Sequence, residues 1–139
     1  MTIQTRIEVD VSAAQAFELW SDFTKFPNYF RTVTSVTPSS SSPGQTHWVV
    51  EILGVEREFD VAVTAKIPGS RIAWATTEGT EHSGVVTFEP LDDRRCEVEL
   101  EMEFEPEGLI EQIADKTLLT QLAADYELGE FKTVAEQTA

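Results

Sequence analysis

Ile3, Thr5, Ile7, Val9 and Val11 alternate with Thr2, Gln4, Arg6, Glu8 and Asp10, the two-residue period of a strand with one wet face. Ser12 then stands where an N-cap belongs, with Gln15 three residues on, and good helix formers fill Ala13 to Trp20. A short helix is predicted there. Asp22 caps a second helical turn from Phe23 to Phe26, which Pro27 and Asn28 interrupt. Strand patterns follow over Val33–Thr37, His47–Leu53, Glu56–Ile67, Arg71–Thr77, Ser83–Leu91 and Arg95–Glu105. Their separators have turn chemistry: Pro38 to Gly44, Gly54, Pro68-Gly69, Glu78-Gly79 and Asp92-Asp93.

The last of these strands is split most cleanly. Cys96, Val98, Leu100, Met102 and Phe104 alternate with Glu97, Glu99, Glu101, Glu103 and Glu105. One face is expected to be buried and the other solvated, with cross-strand cations or water screening the row of like charges. Beyond Pro106 and Gly108 the period changes. Leu109, Ile113, Leu118, Leu122, Leu128 and Phe131 recur at mostly helical spacings, predicting a helix of about 25 residues with a bend near Gly129. A sheet with one apolar face and one long amphipathic helix each need a surface to cover them. The expected fold is therefore α+β: seven antiparallel strands curved around a C-terminal helix, with two short helices between strands 1 and 2. A twisted sheet gripping such a helix leaves a gap between them, and that gap is the expected ligand site.

Composition narrows the partners. The 139 residues suit one domain spanning 1–139, and 41% hydrophobic content can build its core. Acidic residues outnumber basic ones 25 to 10, a net charge of −15 that disfavours nucleic acid and anionic membranes. No apolar run approaches the roughly 20 residues of a membrane helix, so no membrane insertion and a cytoplasmic location are expected. One cysteine, Cys96, excludes an internal disulfide, and with His47 and His82 far apart it offers no metal-ligand spacing. No metal and no cofactor are expected, and the chain is expected to be a monomer or homodimer.

The segments IEVDVSAAQAFELWSDFTKFPNYF (7–30), THWVVE (46–51), RIAWAT (71–76), SGVVTFEPL (83–91) and the closing ELGEFKTVAE resemble the polyketide cyclase/dehydrase and lipid-transport family. That family is a bacterial branch of the START-related (SRPBCC), birch-pollen-allergen-like superfamily. The resemblance spans nearly the whole chain and implies a helix-grip fold. The superfamily holds aromatic polyketide cyclases, coenzyme Q-binding proteins and lipid and hormone carriers, so it implies a ligand-binding cavity without selecting a chemistry. The arginine, tyrosine and polar set that lines the pockets of its dedicated aromatase/cyclases is not matched in this sequence.

With the apolar face of each strand concave, Trp48, Phe59, Val61, Val63, Trp74 and Phe88 point inward, as do Met102 and Phe104. Trp48 and Trp74 are the leading pocket candidates, since an indole walls a cavity and offers an N–H to a ligand oxygen. Phe59, Phe88, Met102 and Phe104 complete the expected lining. His82 is the first choice for an acid or base on an inward register, against the alternative of an exposed turn histidine. Tyr29 and Tyr126 are candidate proton donors at the cavity mouth. His47 and Asp60, out of register with Trp48 and Phe59, are expected to face water. Three functions compete. The first is binding of a lipid-like or aromatic polycyclic molecule, the second a polyketide cyclase or dehydratase using His82 and a tyrosine, and the third an interaction module with a basic protein partner.

Overall fold

A computed structural model describes residues 2–39, 43–52, 54–79, 81–104 and 116–137, with side chains described throughout except at 52, 104 and 116–123. The order is β1 (Thr2–Val9), α1 (Ala13–Ser21), a 3-10 turn (Phe23–Lys25), α2 (Phe26–Tyr29) and β2 (Val33–Pro38). It continues through β3 (Thr46–Ile52), β4 (Val55–Ile67), β5 (Arg71–Gly79), β6 (His82–Asp92), β7 (Arg95–Phe104) and α3 (Lys116–Gln137). The seven strands form one curled antiparallel sheet in the order β1-β7-β6-β5-β4-β3-β2, with the short helices and α3 on its concave side. This is the helix-grip arrangement expected from the pattern.

Local chemistry explains the helical pair. The Ser12 hydroxyl accepts from the Gln15 N–H at 3.1 Å and starts α1, and the Asp22 carboxylate accepts from the Thr24 N–H at 3.2 Å and starts the 3-10 turn. Pro27 enters at the first turn of α2, where its missing N–H costs nothing. The buried residues are Phe17 and Trp20 of α1, Phe23 of the turn, and Phe26 and Tyr29 of α2. They form a continuous aromatic layer: Trp20 meets Phe26 at 5.4 Å and Phe131 of α3 at 5.0 Å, edge to face.

The acidic stripe of β7 does face outward, and β1 supplies the screening. Arg6 lies 3.9 Å from both Glu97 and Glu99, while the Gln4 amide donates to Glu101 at 2.6 Å and the Thr2 hydroxyl to Glu103 at 3.1 Å. On the opposite face Cys96, Val98 and Leu100 are buried. In α3 the buried positions Ala124, Leu128, Phe131 and Ala135 fall at helical spacing. The Lys132 ammonium and Glu136 carboxylate tie this helix to β1, donating to the Glu8 carbonyl at 3.0 Å and accepting from the Asp10 N–H at 2.9 Å. The predicted start of this helix near Leu109 lies outside the described residues, and the helix runs unbroken through Gly129.

The structure departs from the sequence reading on β4. Pairing with β5 slips twice: the extra residue between Asp60 and Val61 is Thr77 of β5, and the one between Val63 and Ala65 is Thr64 of β4, so alternation along β4 fails only beyond Val63. Two exposures differ from expectation without a change of face: Val63, paired with the inward Trp74, is 44% exposed, and Asp60, paired with His47 on the outer face, is only 9% exposed. Asp60 is covered by His47, whose Nδ1 lies 2.6 Å from its carboxylate. Gly79 answers the same irregularity from β5. At φ +83° a Cβ there would lie 2.3 Å from the Glu58 carbonyl oxygen, so only glycine fits.

Candidate functional site

Between the sheet and the helices lies a cavity of about 100 Å³. The sheet supplies Trp48 (β3), Phe59 (β4), Trp74 (β5) and Met102 (β7), and the helical side supplies Trp20 (α1) and Leu128 (α3). Phe23, Phe26 and Phe30 close it where the chain passes from the short helices to β2. The walls hold one another: Trp48 stacks on Phe59 at 6.0 Å and meets Phe26 at 5.3 Å and Phe23 at 5.4 Å. Gly84 of β6 makes room for Trp74, since a Cβ there would lie 2.4 Å from the indole ring. The Trp48 indole N–H is already used, donating to Thr46 at 2.8 Å.

Few polar groups reach this cavity. His82 opens β6 and is 7% exposed, with its ring against Phe59 at 4.5 Å. Its backbone is pinned across the β5–β6 turn, where Thr76 Oγ1 accepts from the His82 N–H at 3.1 Å and bonds the His82 carbonyl at 3.2 Å. Glu127 enters from α3 and accepts a hydrogen bond from the Thr32 hydroxyl. Burial pushes its carboxyl up to about 7, against the Thr32 bond and with help from the nearby Glu130 charge. Trp20 also stands in the wall, with its indole N–H enclosed by protein and without an acceptor among the described residues. No lysine or arginine is among the described lining residues.

The predicted site residues divide. Trp48, Phe59, Trp74, Met102 and His82 line the cavity. Phe88 lies deeper in the core, edge-on to Phe17 and Trp20, and is not among the lining residues. The Phe104 side chain lies outside the described residues. Tyr29 is buried against Phe26 and Phe131, and burial followed by the Asp22 charge raises its phenol. It too is absent from the described lining. Tyr126 is 54% exposed with the Arg31 guanidinium 5.8 Å from its ring centre, so it stands outside the cavity. Neither tyrosine is among the described lining residues. Residue patterning missed Trp20, Thr32 and Glu127. A usable signal for Glu127 existed, because it falls four residues before Phe131 and therefore on the inward side of an otherwise apolar helix face.

The chain belongs to the polyketide cyclase/dehydrase and lipid-transport family, whose model matches residues 9–124. Among curated proteins, it is 35% identical over 136 residues to an uncharacterized 17.2 kDa protein of Streptomyces lincolnensis, covering 97% of this chain and 89% of that one. Its fold is similar to that of the ZhuI aromatase/cyclase from Streptomyces sp. R1128, with TM-score 0.77 and 16% identity over 99% of this chain and 94% of that one. It is similar also to a START superfamily protein from Mycobacterium smegmatis, with TM-score 0.72 and 18% identity over 99% and 95% of the two chains.

Proposed function

We propose that this protein binds a hydrophobic small molecule, lipid-like or aromatic, in the cavity between the sheet and α3. The observation that carries the reading is an aromatic-walled cavity inside the molecule that also holds a few buried polar groups, the usual composition of a small-molecule site. A cavity of about 100 Å³ suits an occupant on the order of one small ring, so a polycycle or acyl chain requires the walls to part. The surface charge of −15 keeps the protein away from anionic membranes, and the buried free thiol of Cys96 suits a reducing cytoplasm. Native mass spectrometry of protein purified from its own host tests the reading, together with displacement of a bound hydrophobic fluorophore. A co-purified apolar molecule, or saturable fluorophore binding lost on filling the cavity, is expected. Failure of both overturns it.

A second reading, cyclisation or dehydration of a carbonyl substrate, draws on one observation: His82 and a Glu127 carboxyl held near neutrality line the same cavity. In that mechanism one group takes a proton from carbon while the other delivers one to a departing or enolising oxygen. Turnover of a poly-β-ketone thioester should then fall about 10²- to 10⁴-fold in His82→Ala. An unchanged rate removes His82 from it.

A further inference from the structure

The aromatic cavity holds one acid, Glu127, and no lysine or arginine among its described lining residues. Glu127 stands one turn of α3 before the buried Phe131 and keeps part of its accessible surface at the cavity it lines. One carboxyl oxygen accepts from the Thr32 hydroxyl, and the other has no hydrogen-bond partner among the described residues. An oxygen of this kind is open to a ligand.

The groups around it supply no counter-charge. Glu130, on the same helix, adds a second negative charge. Arg31, before β2, reaches Glu130 at 3.7 Å and lies over the Tyr126 ring, outside the cavity. Lys132, further along α3, is held by Glu136 at 2.6 Å. Tyr29 of α2 is raised above its usual value and stays uncharged at neutral pH. His82 lines the cavity from β6 with its ring edge-on to Phe59 at 4.5 Å, and no described residue forms an ion pair with Glu127.

A cation from outside fits this place in three respects. The Thr32 hydroxyl already serves the ionised carboxyl as donor. Aromatic walls such as Trp48, Trp74 and Phe59 attract positive charge through their ring faces and repel negative charge. The net charge of −15 also concentrates cations near the protein and depletes anions. Taking an ammonium out of water is costly unless a carboxylate receives it, and among the described lining residues Glu127 is the one that can.

We propose that the ligand of this cavity is an apolar amine, bound as its ammonium ion on the Glu127 carboxylate with its ring-sized body against the aromatic walls. This rests on the proposed binding function and narrows its ligand from any hydrophobic molecule to one with a basic nitrogen.

Three probes with one ring test it by calorimetry: benzylamine, benzyl alcohol and benzoate. At pH 7.5 benzylamine should bind at least tenfold more tightly than either of the others. The free carboxyl titrates near 7 and the ammonium takes only its ionised form, so benzylamine affinity should rise about 20-fold from pH 5.5 to 7.5. An uncharged ligand that accepts a hydrogen bond from the protonated acid would instead lose affinity over that range. Glu127→Gln, which keeps an acceptor for Thr32, should weaken benzylamine at least tenfold at pH 7.5 and leave benzyl alcohol within about threefold. The pH dependence in the unaltered protein decides the matter should the variant fold poorly. Benzyl alcohol or benzoate binding as tightly as benzylamine overturns the proposal while leaving a binding cavity in place. So does benzylamine affinity that fails to rise with pH, an amine preference that survives in Glu127→Gln, or no benzylamine binding by protein that still takes up the fluorophore. Failure of all three probes and of the fluorophore overturns the cavity reading itself.

Discussion

On the convex face His47 holds the carboxylates of Asp60 and Glu58 at 2.6 and 3.2 Å, while its own side chain is 40% exposed. In the cavity Glu127 has one hydroxyl donor, Thr32, and a neighbouring negative charge, Glu130. Both ionisable groups are raised, with opposite consequences for charge. The hydrogen bonds that His47 donates to Asp60 and then Glu58 raise it and favour its charged form, whereas burial raises Glu127 and favours its neutral form. One sheet thus has an outer face organised to keep charge and an inner face organised to suppress it. The difference follows from what each face offers: water and opposite charges outside, aromatic rings and few donors inside.

Substitutions on the two faces sharpen or break this contrast. The largest effect belongs to Glu127→Gln, which keeps the acceptor for Thr32 and removes the ionisation. Glu127 titrates near 7 in the folded protein and near 4.5 when unfolded, so it lowers stability as pH climbs between those values and holds it lowered above them. The groups around it are Glu130 on its own helix, Arg31, which reaches Glu130 at 3.7 Å, Thr32 before β2, and His82 across the cavity. Urea unfolding at pH 8 should find the variant more stable by up to about 3 kcal/mol, with the gain gone below pH 4.5. A gain that does not depend on pH would mean that the carboxyl is not suppressed.

Gly84→Ala tests the packing of the inner face. Its methyl group would drive into the Trp74 ring, and stability should fall by about 1–3 kcal/mol with a change in the Trp74 fluorescence. The adjacent Ser83→Ala, on the other side of β6, should stay within about 0.5 kcal/mol. Similar losses at both positions would erase the distinction between the faces. The smallest effect is expected for His47→Gln. Because His47 is raised in the folded state, its contribution is complete below its unfolded value of about 6.5 and is lost as pH rises through the higher folded value. An exposed pair of this kind contributes under about 1 kcal/mol, and the two proteins should converge in stability at alkaline pH.

Much of the fold was legible because its signals are local. The β7 alternation from Cys96 to Phe104 and the helical recurrence of Leu128 and Phe131 each follow from one period and one face. The exposures of Val63 and Asp60 were misread although their faces were counted correctly, because exposure depends on what covers a side chain: His47 of β3 covers Asp60, and Val63 beside Trp74 stays 44% exposed. The cavity was half legible. Trp48, Trp74 and His82 stand on strands whose inward register can be counted, but Trp20 and Thr32 reach the cavity only through the docking of α1 and the β2 approach onto α3. That docking is a long-range packing event. Glu127 was overlooked for a different reason: its spacing from Phe131 marks the inward side of the helix, but one acidic residue in a chain with 25 of them does not stand out by type.

The pairing of β1 with β7 sets the order in which this molecule can come into being. Thr2 and Glu103 are hydrogen-bonded neighbours 101 residues apart, so β1 waits for its β7 partner while the short helices and β2 to β6 come between them. Closing so long a loop costs about 2 kcal/mol more than closing one of ten residues. Leu100 and Met102 of β7 and Glu127 of α3 also line the cavity, so its wall is incomplete until β7 and α3 have followed the other elements. A molecule bound in the cavity would by mass action stabilise only the form in which β7 and α3 are both in place.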